Sequence, residues 1–119
     1  MKFYWAIAFI AVASSSCDLA SCSNIVSTEK ISPDGEYIAT VFERNCGATT
    51  SYLQIVSLRR SKSNFDPDEY KDWIFSIEGK SNIKVRWLSS DKVSISFTGT
   101  GASPELTSDW RGISVLISD

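Results

Sequence analysis

Alternation is the strongest constraint in this chain. Val93, Ile95 and Phe97 alternate with Ser94 and Ser96, and Ile83, Val85 and Trp87 alternate with Lys84 and Arg86. Trp73, Phe75 and Ile77 follow the same period with a break at Ile74, and Ile113, Val115 and Ile117 follow it with a break at Leu116. A repeat of two places all apolar side chains of a strand on one face, so these segments read as half-buried antiparallel strands. "WLSSDKVSISF" reads as a hairpin turning at Ser89–Lys92.

Two further segments are apolar on both faces. "YIATVFE" (37–43) and "YLQIVSL" (52–58) suit central strands covered on each side, paired with each other across the loop "RNCGATTS". A leading strand is expected around Ile25–Ile31. Between them, Ser32-Pro33-Asp34-Gly35 has the residues of a tight turn. This string also marks propeller blades, but here it occurs once and no blade-length repeat accompanies it, which excludes a propeller. "FDPDEYKDW" (65–73) offers one helical turn, with Asp66 as cap, Pro67 in first position and Glu69 completing a capping box. Its acidic residues lack the spacing and the glycine of a calcium loop. The expected fold is all-β: a small antiparallel sandwich or partly open barrel of six to seven strands, as a single domain over 24–119.

The N-terminus does not belong to that domain. Lys2 precedes an apolar run, "FYWAIAFIAVA" (3–13), then Ser14, Ser15 and Ser16. The run is short for a membrane span and has the layout of an export signal. "ASSSC" and "LASC" each resemble the end of a bacterial lipoprotein signal, whose cysteine is acylated and becomes the new N-terminus. "LASC" is the better local motif, with Leu19 at the usual aliphatic place, but it leaves Asp18 between the apolar run and the cut, where charge is costly. Cys17 is therefore favoured over Cys22, giving a signal over 1–16 and a tether over 17–23. Cleavage near Ala13 to Ser16 without a lipid is the third option, leaving a soluble periplasmic or secreted protein.

The cysteine count supports Cys17. Three is an odd number, and an exported protein with an odd thiol needs an explanation. With Cys17 acylated, Cys22 and Cys46 can pair in a compartment that permits disulfides. Closing that loop stabilises by about 3 kcal/mol in the loop-entropy model. For Cys46 the disulfide is favoured over a free thiol, and catalysis comes last. A thiolate nucleophile needs a base, and the chain has no histidine.

Composition narrows the function classes. Formal net charge is −2, and the one basic cluster, "RRSK" at 59–62, reads as a solvated loop, so nucleic acid is not an expected partner. No cofactor and no metal site is expected. Arg44, Asn45, Gly47, Thr49 and Thr50 furnish a possible recognition loop around Cys46. Trp73 and Trp87 fall on apolar strand faces. Trp110, beside Asp109 and Arg111, is the best candidate for an exposed aromatic anchor, although core remains its favoured reading.

The run "SPDGEYIATVFERNCGATTSYLQIVSL", Ser32 to Leu58, resembles an uncharacterised family of small bacterial envelope proteins and lipoproteins. The family pattern is SPDG, a strand ending in an E-R-x-CGATT loop, then an aromatic-led strand. Members also carry an early Cys-x-Asn, here Cys22-Ser23-Asn24, which again implies Cys22 as the partner of Cys46. Ser51 and Ile55 depart from the pattern, where a glycine and a polar residue are usual. The resemblance implies location and fold type but no activity. The expectation is a non-enzymatic envelope binding module, held to a membrane by its N-terminal lipid, that binds a protein or envelope component through 44–51 and 99–111. The alternative is a periplasmic inhibitor of a hydrolase, similar to the lysozyme-inhibitor lipoproteins.

Overall fold

The computed structural model describes residues 22–47, 52–99 and 102–118. The signal segment 1–16, Cys17, Thr49 and Thr50 lie outside the described residues.

Among the described residues, nine strands form two sheets. One sheet has the order β1 (Ser23–Ile31), β2 (Tyr37–Asn45), β3 (Leu53–Arg60), β4 (Trp73–Glu78) and β7 (Glu105–Leu106). The other has the order β5 (Ile83–Ser89), β6 (Lys92–Phe97), β9 (Ile113–Ile117) and β8 (Asp109–Trp110). Seven of the strands have five residues or more; β7 and β8 have two each. The sheets stack as a sandwich and do not close into a barrel. Ala39, Val41, Val56, Leu58, Phe75 and Ile77 of the first sheet meet Val85, Val93, Ile95, Ile113 and Val115 of the second in one buried core. Burying such side chains is worth about 1.5–3 kcal/mol each and supplies the main driving force.

The turns follow from their residues. In the β1–β2 turn the Gly35 N–H donates to Ser32 O at 2.9 Å, and the Tyr37 N–H donates to the Ser32 hydroxyl at 3.1 Å. Gly35 has φ +76, a conformation that costs glycine little. This turn packs beside the β5–β6 hairpin. The Trp87 indole N–H donates to Lys30 O at 2.9 Å.

Three expectations need correction. First, not every pair is antiparallel: β6 and β9 run parallel, Val93 facing Val115 and Ile95 facing Ile117. Second, Trp73 does not share a face with Phe75 and Ile77. Ser57 pairs with Trp73 while Val56 pairs with Phe75, so Ile74 is the extra residue of a β-bulge. The bulge keeps Ile74 in the core and swings Trp73 to the far side of the sheet, against Phe42 at 6.2 Å between ring centroids. Third, Asp66 does not cap a helix. Its carboxylate accepts the Asp68 N–H at 2.9 Å, and the helical turn is a single 3-10 turn over Tyr70–Asp72, with Glu69 at its cap and no side-chain capping bond.

The chain 61–72 lies across the outer face of the first sheet. Phe65 packs edge-on to Phe42 at 5.1 Å, and the Trp73 indole donates to Pro67 O at 3.1 Å. Phe42 and Ile55 are fully buried beneath it. This layer explains why β2 and β3 are apolar on both faces. The outer face of the second sheet has no such cover among the described residues.

Candidate functional site

Cys22 and Cys46 form a disulfide, with Cα atoms 4.0 Å apart. It continues the β1–β2 ladder one step beyond the Ser23–Asn45 pair. Cys46 is therefore a staple between the start of an edge strand and the end of a central one. Its sulfur is not available as a thiolate.

The residues around Cys46 do not form one surface. Arg44 points to the outer face of the first sheet and is buried. Its guanidinium donates to Asn24 Oδ1 at 3.0 Å, Asp68 Oδ1 at 2.7 Å, Tyr70 Oη at 3.3 Å and Pro67 O at 3.4 Å, and lies over the rings of Tyr70 and Trp73. Arg44 is thus the polar plug beneath the 61–72 layer, and its donors are spent inside the protein. Asn45 is half-buried and accepts the Gly47 N–H at 3.1 Å. Only Gly47 is exposed among the described residues of this group. Trp110 is buried at the other end of β2, edge-on to Tyr37 at 5.7 Å. Seven strand residues separate Tyr37 from Arg44, roughly 23 Å. Trp110 is therefore neither exposed nor near the Cys46 loop.

Trp110 does contribute to a different site. A cleft of about 220 Å³ opens between the end of β3, the 63–72 segment and the β8–β9 hairpin. Two arginines flank it. Arg60 lies over the Tyr37 ring at 5.9 Å and Arg111 over the Trp110 ring at 4.9 Å. The two aromatic rings touch, so both guanidiniums rest on one aromatic pair. Neither arginine forms an ion pair among the described residues. Arg59, also in the wall, is committed: it bonds Glu29 Oε2 at 3.1 Å, Thr40 Oγ1 at 2.8 Å and Ser63 O at 3.0 Å. The lining also carries Asp66, Glu69 and Asp72, and Asp72 accepts the Trp110 indole N–H at 3.2 Å.

The local fold aims Arg111 at this cleft. Trp110 pairs with Ile113, so Arg111–Gly112 is a two-residue hairpin loop. Both residues have positive φ, 51 and 89, as this turn class requires, and Arg111 is the one non-glycine with positive φ among the described residues. Asparagine or glycine fills this position at lower cost; a β-carbon there costs about 1–2 kcal/mol. An arginine free of ion pairs, held in a costly conformation at the rim of a cleft, marks a position where the side chain matters more than the turn.

Chemically the cleft can hold a ligand of mixed charge. The guanidiniums can take a carboxylate through paired N–H donors, and the acidic residues can take a cation. Sequence reading missed Arg60, because "RRSK" reads as a solvated loop. It also passed over Arg111, although Arg-Gly between apolar Trp110 and Ile113 is a hairpin signal.

Against known proteins, the chain matches no protein-family model, no curated protein and no solved structure.

Proposed function

We propose that this chain is an exported envelope protein, anchored to a membrane by an acyl group on Cys17, which binds a partner protein non-enzymatically through the Arg60–Arg111 cleft. One observation carries the reading: the Cys22–Cys46 bridge. It fits an oxidising compartment and pairs two of three cysteines, leaving Cys17 next to the apolar N-terminal run. It also takes Cys46 out of thiolate chemistry. With no histidine in the chain, the cleft offers recognition groups and lacks a nucleophile–base pair of the usual kinds. A loop-inserting hydrolase inhibitor needs a protruding element at its contact. The unpaired guanidiniums here flank a concavity, which favours receiving a partner's side chains.

Two measurements test this. Intact mass of the membrane-extracted protein should show a start at Cys17, added acyl chains, and a gain of a pair of hydrogens on reduction. A start at Cys22, or no acyl mass, sinks the anchor. Wild type and an Arg60→Glu/Arg111→Glu variant should then be compared for capture of envelope proteins. A partner held by wild type and lost by the folded variant supports the cleft, and equal capture by both rules it out.

A further inference from the structure

The second sheet presents a face unlike the rest of the molecule. Val85, Val93, Ile95 and Val115 point into the core, so Lys84, Arg86, Lys92, Ser94, Ser96 and Leu116 point outward. Register sets them side by side: Lys84 faces Ser96, Arg86 faces Ser94, Lys92 faces Ser114, and Ser94 faces Leu116. Strands β5, β6 and β9 carry three cations and no carboxylate, in a chain with 14 acidic and 12 basic residues, and the one acidic residue of the remaining strand, Asp109 of β8, lies on the same face beside Ser114. None of the three cations forms an ion pair among the described residues.

The face is also shaped. Small serines lie between long side chains, leaving a groove of about 250 Å³ lined by Lys84, Arg86, Ser94, Ser96 and Ser118. Its floor is Ser94, 5% exposed, whose hydroxyl meets that of Ser118 at 2.8 Å. Ser94 spends its one proton on Ser118, which leaves the Ser96 and Ser118 hydroxyls beside two cations as donors to anionic oxygens. Leu88 and Leu116 stand in the same basic field, 47% and 43% exposed. Cations mixed with exposed leucines match the boundary between lipid headgroups and acyl chains.

The fold directs this face toward the anchor. Trp87 meets Lys30, and β4 ends at Glu78, level with Leu53, Arg44 and Asn24, with β5 starting after a short loop at Ile83, so β5 runs the same way as β1. The Lys84 end of the groove therefore lies toward Cys22, where β1 begins. From Cys17 to Cys22 the chain spans at most about 17 Å when extended. A domain tethered that closely keeps its Cys22 end near the bilayer.

We propose that the outer face of the β5–β6–β9 sheet rests on the phosphate headgroups of an anionic bilayer, the groove taking phosphate oxygens and Leu88 and Leu116 dipping into the interface. This rests on the acyl anchor proposed above. Each cation near an anionic surface is worth roughly a fivefold gain in association, so the three together give on the order of 100-fold.

Amine footprinting tests it. The membrane-extracted protein is placed in vesicles of phosphatidylcholine alone, or of phosphatidylcholine with phosphatidylglycerol, and labelled with an acetylating reagent. Lys84 and Lys92 should be labelled roughly tenfold more slowly in the anionic vesicles. Lys62 and Lys71, on the 61–72 layer, should not change. Arg86→Gln should weaken the protection of Lys84. The same mass spectra read the acyl group. Acyl present with no protection overturns the bilayer contact alone, whereas acyl absent overturns both this proposal and the anchor. Equal protection of Lys84 and Lys92 by soluble polyphosphate, without vesicles, would also overturn it, because the face would then serve a free polyanion.

Discussion

Arg44 reaches Asp68 at 2.7 Å, across 24 residues of chain, and the two partners sit in opposite surroundings. The Arg44 side chain is 6% exposed and that of Asp68 is 68% exposed. An ion pair with one partner in water gains little from its charge. The arginine matters more for the space it fills between Tyr70 and Trp73 and for the Pro67 carbonyl it satisfies. Asp68→Ala should cost less than about 1 kcal/mol, and Arg44→Ala about 2–3 kcal/mol. Urea midpoints at constant m-value separate the two. Equal losses would mean that the ion pair, and not the packing, holds the 61–72 layer.

The bridge at Cys22 makes a more local prediction. β1 is an edge strand with Ile25 and Val26 exposed, and its register slips between Val26 and Thr28. The ladder before that slip depends on the staple at its end. Reduction should lower stability by about 3 kcal/mol, a fall in Tm of roughly 10–20 °C for a domain of this size. Hydrogen exchange should quicken most at Ser23–Val26 and less in β5 and β6, where it follows only the global loss. Uniform quickening would show that the bridge acts on the whole domain at once.

What was legible in the sequence divides by the range of the interaction. The β5–β6 hairpin was readable because its turn and both its alternating strands are contiguous. The β6–β9 pair was not, since parallel neighbours share no turn and the chain between them visits the first sheet at β7. The break at Ile74 was visible in the alternation. Only pairing with β3 decides that the break is a bulge and that Trp73 changes face. Arg44 looked like a loop residue because its cover, Pro67 to Tyr70, lies more than twenty residues away. The double-sided apolar pattern of β2 and β3 had already announced that cover without identifying it. The Arg60–Arg111 cleft joins β3 to the last hairpin, and no local pattern connects those segments.

Acid should act at the β1–β2 turn. The Asp34 carboxylate accepts the Ser32 hydroxyl at 2.6 Å and the Glu36 N–H at 3.1 Å. These bonds favour the charged form, so the Asp34 pKa lies below its ordinary value of 3.8. A carboxylate depressed on folding contributes stability that is complete above the unfolded pKa and is lost as pH falls through the folded one. Asp34→Asn keeps an acceptor but removes the charge. Its Tm should fall less steeply than that of wild type below about pH 5. Parallel Tm curves for the two proteins would assign the acid sensitivity to other carboxylates.

The last prediction sets stability against recognition at Arg111. Replacing it with glycine relieves a left-handed conformation worth about 1–2 kcal/mol. The same change adds about 0.5–1 kcal/mol of unfolded-chain entropy and removes a stacked cation worth about 0.5–1 kcal/mol. These terms nearly cancel, so Arg111→Gly should leave stability within about 1 kcal/mol of wild type. The cleft, however, loses one of its two unpaired guanidiniums. A charge-assisted hydrogen bond is worth about 1.5–3 kcal/mol, so partner affinity should drop at least tenfold. Thermal melting together with titration of the captured partner checks both halves. A stable Arg111→Gly protein that binds as tightly as wild type would leave the costly turn without a functional reason.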